Sequence, residues 1–272
     1  MRIIFTLSVF TVFILSSCQK EISYENDGNV EKIDPDADNF VKAAGITNAS
    51  LKTSLNTLVI KAKDHGWWNL CLAIYPFAGG TSSSSSFNLK DTSAYRVTWS
   101  GSPIFANPGP SFGDGVSYGN TGLNDSILAF NNAHISFYSN TNDASIDQWV
   151  MGVDDARVPY NELTLTNAGF KQAVAYFFTN NGTFSAEQSS TIGWYLVSSS
   201  NTDVRIFKDG TDITATTESP MDVHANNTFL IGTSRNLPGT NTQCSFSTIG
   251  LNIDGATAAL MYADIRDFVN KK

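Results

Sequence analysis

Beyond Trp67 and Trp68 the apolar residues stop recurring at helical spacing and begin to alternate, and this change of period constrains the fold more than any other feature of the chain. A period of 2 sends successive side chains to opposite faces of a sheet, so each run offers one apolar face to a core. Such runs fall at residues 70–77, 95–100, 126–130, 134–139, 148–153, 162–165, 173–179, 192–198, 204–208, 228–234 and 245–249. They are short and separated by stretches rich in Gly, Ser, Thr and Asn, which predicts many antiparallel strands packed as two sheets. In 134–139, Ile135 and Phe137 alternate with Ser136 and Tyr138. Residues 204–208 run straight into Asp209-Gly210, a strong hairpin signal because both turn positions need positive φ.

The flanks read differently. Asp34-Pro35-Asp36-Ala37-Asp38 opens a helix: Asp caps orphan N–H groups, Pro fits the first turn, and further carboxylates suit the positive helix end. The alternating Asp residues are not an EF-hand loop, since Asn39 stands where the turn Gly belongs and Gly45 where the bidentate Glu belongs. After Gly45, a second helix starts at Thr47 or Asn48 and carries Leu51, Leu55, Leu58, Val59 and Ala62 on one face as far as His65-Gly66. Residues 34–69 are therefore expected to form a helical hairpin packed on a sandwich of residues 70–253. Residues 254–272 are expected to add a helix capped by Asp254, with Ala258, Met261, Ile265 and Phe268 on its buried face.

At the N-terminus Arg2 precedes an apolar run, residues 3–15, closed by Ser16-Ser17-Cys18. The run has the form of a secretory signal and is too short to span a bilayer comfortably. Leu15-Ser16-Ser17-Cys18 resembles the lipobox of bacterial lipoproteins, which implies cleavage after residue 17 and lipidation of Cys18. Gln19, Lys20 and Glu21 follow, similar to lipoproteins sent on to the outer membrane or its outer surface. The expected address is the cell envelope, with the membrane reached through the lipid. Residues 18–33, polar and without apolar periodicity, read as a flexible tether. The 272 residues are 42% hydrophobic and 15% charged, which excludes disorder throughout. A net charge of −8 with no basic cluster argues against a nucleic-acid partner.

Several strings together resemble a known family. They are Asp36-Ala37-Asp38-Asn39-Phe40 with Ala43-Ala44-Gly45-Ile46, Ala73-Ile74-Tyr75-Pro76-Phe77 with Gly79-Gly80, and Phe87-Asn88-Leu89-Lys90-Asp91. Asn132-Ala133-His134-Ile135-Ser136, the Arg205 to Gly210 hairpin, Phe229-Leu230-Ile231-Gly232 and Phe246-Ser247-Thr248-Ile249-Gly250-Leu251 continue the pattern. The chain from about residue 36 to 270 resembles the concanavalin A-like, LamG-type domains of bacterial surface proteins and phage tail proteins. The resemblance implies a two-sheet antiparallel jelly-roll sandwich, often used for carbohydrate recognition or adhesion. It also implies that the chain ends meet in one sheet. For Cys71 and Cys244 in an oxidising compartment, two alternatives then stand, a disulfide and a pair of buried thiols.

Glycanases of this fold place acidic residues at alternate positions of one strand. After residue 70 the glutamates are Glu162, Glu187 and Glu218, each isolated, and no Asp or Glu lies two residues from another. The chain is accordingly expected not to be an enzyme. His65, His134 and His224 are too scattered for a zinc site and are read as structural. Asp143, Asp147, Asp154 and Asp155 flank the strand around Trp149; they are read as solvated turn formers, with Ca2+ ligation the alternative, and no cofactor is required. Of Trp99, Trp149 and Trp194, alternation leaves about one outside the core. The expected function is a non-catalytic carbohydrate-binding or adhesion module for a glycan or glycoconjugate, with Trp149, Asp147 and Asp154 at the site. An adhesion or assembly component recognising a protein partner is the alternative, and a polysaccharide-degrading enzyme the third.

Overall fold

A computed structural model describes residues 23–26, 29–113, 116–143, 147–153, 161–167, 169–234 and 241–272. The apolar run of residues 3–15, Cys18, Asp154 and Asp155 lie outside the described residues. The chain divides into two units, residues 1–33 and 34–272.

In the first unit, β1 (Ser23–Asn26) and β2 (Asn29–Lys32) pair as an antiparallel hairpin. This pairing lies within residues 18–33, the segment whose sequence reads as a flexible tether. Asn26 pairs with Asn29, leaving only Asp27-Gly28 between the strands in sequence, and Asp-Gly is a hairpin signal even where apolar alternation is missing.

The second unit opens with α1 (Pro35–Ala43) and α2 (Ala49–Asp64). Asp34 caps α1, its carboxylate accepting the Asp36 N–H at 3.0 Å, and Asn48 caps α2 by accepting from Leu51 N–H at 2.9 Å. Then come β3 (Cys71–Tyr75), β4 (Thr98–Ser100), the short hairpin β5 (Ile104–Ala106) and β6 (Gly109–Ser111), and β7 (Tyr118–Asn124). They are followed by β8 (Ala133–Ser139), β9 (Trp149–Val153), β10 (Glu162–Asn167), β11 (Gln172–Tyr176) and β12 (Thr183–Glu187). The last strands are β13 (Gly193–Ser199), β14 (Val204–Lys208), β15 (Thr211–Asp212), β16 (Thr214–Thr216), β17 (Thr228–Ile231) and β18 (Cys244–Gly250). Helix α3 (Gly255–Val269) ends the body, with Asp254 accepting the Thr257 N–H at 2.8 Å.

Apart from the separate β5–β6 pair, these strands form two antiparallel sheets of a sandwich. One has eight strands in the order β16-β12-β11-β10-β9-β17-β7-β4, the other six in the order β15-β14-β13-β8-β18-β3. Alternation along each strand explains the layers. In β13, Tyr195 and Val197 enter the core between the sheets, with Ile135, Phe137, Leu163, Leu165 and Phe229. Trp194 and Leu196 face the other way and join Ile74, Phe207 and Phe246 under the helices, against Phe40, Leu55, Leu58, Val59, Ala258, Met261, Ile265 and Phe268. The predicted apolar faces of both helical segments thus cover the six-stranded sheet. The Asp209-Gly210 turn has φ of 51° and 76°, as the hairpin requires, and a Cβ at Gly210 would lie 2.9 Å from Ala259 Cα of α3.

Two expectations are corrected. Residues 126–130 are not a strand: Asp125–Ile127 is a 3-10 turn, and the strand is β7 just before it. Buried Asp125 sets this turn, accepting from Asn161 Nδ2 at 2.8 Å and from the N–H groups of Ala225 and Asn227 at 2.8 and 3.2 Å. The second is the disulfide, one of the two alternatives for the cysteines; the buried thiols stand. Cys71 and Cys244 are both free and buried. β3 and β18 are neighbours, as the meeting of chain ends implied, but Cys71 lies opposite Gly250, six residues along β18 from Cys244. That separation is about 20 Å, far beyond the span of a disulfide. The two thiols also sit in different layers, Cys71 under the helices and Cys244 between the sheets.

Candidate functional site

The outer face of the eight-stranded sheet carries a groove across β9, β10, β11 and β12. Asp147, Trp149, Glu162 and Thr164 line one side, and Val174, Tyr176 and Phe184 the other, around about 510 Å³ of space open to solvent. Register brings them together. Thr164 lies opposite Trp149 on one side and Val174 on the other, and Val174 lies opposite Phe184. Glu162 forms the next row, opposite Tyr176 and Gly152.

A β-bulge decides which way Trp149 points. In a regular strand Trp149 and Met151 would share a face, and Met151 is in the core. The pairing steps from Leu163–Met151 to Thr164–Trp149, so β9 holds one residue more than β10 between those pairs. Val150 and Met151 both enter the core as a result, and Trp149 turns to the groove.

Trp149 is half-buried, and among the described residues its ring meets no other ring and its indole N–H has no partner. The other two tryptophans singled out in the sequence are engaged. Trp194 is buried under α3, stacked on Tyr262 at 6.2 Å. Trp99 donates its indole N–H to Ser82 O at 2.9 Å and packs edge-on to Phe105 at 5.0 Å. Trp149 is the one that presents an indole to solvent with both its ring and its donor available.

Glu162 is almost fully buried at the groove wall, and its carboxylate accepts from Ser234 Oγ at 2.8 Å. Gly152 permits this approach: a Cβ there would lie 2.7 Å from both Glu162 Cβ and Ser234 Cβ. An aromatic wall beside carboxylates and a hydroxyl can stack on an apolar ring face while accepting hydrogen bonds from the hydroxyls around it.

The structure therefore brings Trp149 and Asp147 to one groove. Asp143 lies in the loop after β8, where its N–H donates to Thr191 Oγ1 at 3.0 Å. Among the described residues no group of three or more His, Cys, Asp or Glu is arranged to hold a metal ion. Glu162, Thr164, Val174, Tyr176 and Phe184 were not singled out in the sequence. Tyr176 lies in the run 173–179 and Phe184 in none of the predicted runs, and only the strand register shows that they face Trp149.

The histidines have structural partners. Buried His134 bonds through Nδ1 to Leu251 O and through Nε2 to Thr248 Oγ1, and burial pushes its pKa down to about 4. His224 contacts Asp125 O at 3.1 Å and packs edge-on to Phe178 at 5.1 Å. His65 ends α2 and reaches buried Asp264 of α3 at 2.7 Å, where Trp67 Nε1 also donates at 2.9 Å. No described helix is long and apolar enough to cross a membrane.

No protein-family model and no curated protein sequence matches the chain. Solved structures of similar fold include Trypanosoma rangeli sialidase in complex with the inhibitor DANA. It matches with a TM-score of 0.52 at 8% identity, over 76% of this chain and 38% of the sialidase. The same sialidase in complex with sialic acid matches with a TM-score of 0.52 at 7% identity, over 76% and 38%. Domain 4 of an extracellular arabinanase from Geobacillus stearothermophilus, in complex with arabinotriose, matches more loosely. Its TM-score is 0.42 at 14% identity, over 70% of this chain and 97% of that domain. This chain spans 38% of the sialidase's length, and the identities are low enough that the likeness concerns the fold alone: a β-sandwich.

Proposed function

We propose that the open face of the eight-stranded sheet is a non-catalytic carbohydrate-binding surface on a lipid-anchored cell-envelope protein. One observation carries the reading: a bulge turns Trp149 out of the core into a groove where its ring and N–H have no partner among the described residues. A sugar ring offers an apolar face to stack on the indole and hydroxyls that can accept from its N–H. The sialidase of similar fold was solved with sialic acid bound, which supports the class of ligand. A shallow open site of this kind binds weakly, with Kd of the order of 1 mM to 1 µM, and many copies on one surface make such binding useful.

The sequence supports the address: Leu15-Ser16-Ser17-Cys18 follows directly on an apolar run. Lipidation at Cys18 would hold the body at the outer membrane, facing the surroundings in which polymeric glycans occur. A glycan array and calorimetry on the full chain in detergent, each with and without Ca2+, test the binding. Trp149→Ala is expected to abolish it while the fold survives. Full glycan binding by Trp149→Ala would move the site elsewhere, and silence across all glycans with clear binding to an envelope protein would replace carbohydrate by protein recognition. Cys18→Ala is expected to release the protein from the membrane fraction and to end fatty-acid labelling.

A further inference from the structure

Trp149 and Phe184 stand at the two ends of one cross-strand row, with Thr164 and Val174 between them. Three strand spacings separate their backbones, about 14 Å. Like Trp149, Phe184 is half-buried and meets no other ring among the described residues. Elsewhere in the body half-buried rings are in use: Tyr262 lies against Trp194, and Phe87 lies under the Arg96 guanidinium at 4.0 Å. Two half-buried rings this far apart, neither stacked on another ring among the described residues, exceed what one sugar ring can touch.

Across the sheet the row is followed by β16, where Thr216 lies opposite Phe184, and along the strands the surface continues. Gln172 pairs with Glu187 as Val174 pairs with Phe184, so the surface continues about 7 Å further along the same two strands. There Lys171, Glu187, Gln188 and Ser189 line an adjoining depression of about 630 Å³. A pocket that grips the end of a glycan needs a wall at that end, whereas this surface lets a chain run on.

Resting on the carbohydrate reading of this face, we infer that the groove takes an extended polysaccharide chain along its length. One sugar ring lies on Trp149, a later ring lies on Phe184, and the chain continues past the row. Affinity then grows with chain length until both rings are covered, and the increment belongs to Phe184.

The test is calorimetry on the full chain in detergent, against size ladders of gluco-, xylo- and arabino-oligosaccharides from the monosaccharide upward. In the series that binds, the expected result is a rise of about tenfold in affinity once the oligomer is long enough to reach Phe184. Phe184→Leu, which keeps an apolar side chain on the strand and removes the ring, is expected to erase that rise and to leave the shortest ligands unaffected. A flat dependence on length in the native protein overturns the inference, and so does a Phe184→Leu loss that is equal at every length. Flat binding leaves the carbohydrate reading in place; no binding in any series removes that reading and the chain inference together.

Discussion

The sandwich has two outer faces built from strands of the same kind, and they meet different fates. On the six-stranded sheet Ile74, Trp194, Leu196, Phe207 and Phe246 point outward and are sealed by α1, α2 and α3. On the eight-stranded sheet the outward row of Trp149, Thr164, Val174 and Phe184 is left as an open groove. The first face is mainly apolar, its polar members His134 and Ser136 both bonded to Thr248, and it needs a cover to escape water. The second mixes rings with carboxylates and a hydroxyl, a combination that tolerates solvent and can exchange it for a ligand. An aromatic side chain on this fold therefore has a meaning set by its layer, with Trp194 serving the cover and Trp149 the groove.

The comparison breaks most easily through Phe246, fully buried and edge-on to Phe268 of α3 at 6.0 Å. Phe246→Ala is expected to cost about 3–5 kcal/mol in urea unfolding, whereas Trp149→Ala is expected to cost about 1 kcal/mol or less. Equal costs would mean that the two faces are not different in kind. A slightly smaller effect comes from His134, held neutral in the six-stranded sheet. Its folded pKa is depressed to about 4 from an unfolded 6.5, so the unfolded chain takes up a proton that the native state refuses. This contribution is fully present above pH 6.5 and is lost as pH falls toward 4, a loss of up to about 3 kcal/mol. His134→Asn should flatten that part of the profile of urea midpoint against pH, even if it lowers stability throughout.

Smaller still is the cap of α3. Asp254→Ala removes the acceptor of the Thr257 N–H and should cost about 1 kcal/mol, visible as faster hydrogen exchange in the last helix but not in β9 to β12. An effect of similar size and opposite sign sharpens the comparison at the open sheet. The Gln148 amide, next to Trp149, is buried, and neither its oxygen nor its nitrogen has a hydrogen-bond partner among the described residues. Gln148→Met should raise stability by about 1 kcal/mol, since it removes unpaired polar atoms at similar volume. A drop would show that the amide is satisfied in solution.

Legibility in the sequence follows the range of the forces involved. Local signals read well: the alternation of 134–139, the Asp209-Gly210 turn, the caps at Asp34 and Asp254, and the apolar faces of α2 and α3. Strand β7, Tyr-Gly-Asn-Thr-Gly-Leu-Asn, is nearly without apolar pattern and was missed, because its neighbours hold it in place. Gly119 is needed there since Trp99 and Val97 side chains come within 2.6 Å of where its Cβ would be. The apolar 126–130 segment misled for the opposite reason: a short apolar run is present, but the bonds to buried Asp125 impose a turn. At the groove, Trp149 and Asp147 could be chosen by residue type. Their partners depend on a bulge and on four strands in register, and neither leaves a mark in any one segment. Register also decides between the two alternatives for the cysteines, with the right strands side by side and the thiols at opposite ends, free and buried.

The cover of the six-stranded sheet joins residues that lie far apart in the chain. Lys61 of α2 reaches Asp267 of α3 at 3.0 Å, His65 and Trp67 share Asp264, and β3 pairs with β18. A chain made from its N-terminus forward must hold the apolar stripe of α1 and α2 without its counterpart until the last residues arrive. The groove strands β9 to β12 need no such wait, being nearly consecutive in sequence. Folding of the body is thus set to close late and on the covered side, and a chain cut short before α3 would show its sticky surface there, leaving aggregation rather than loss of binding as the first symptom of truncation.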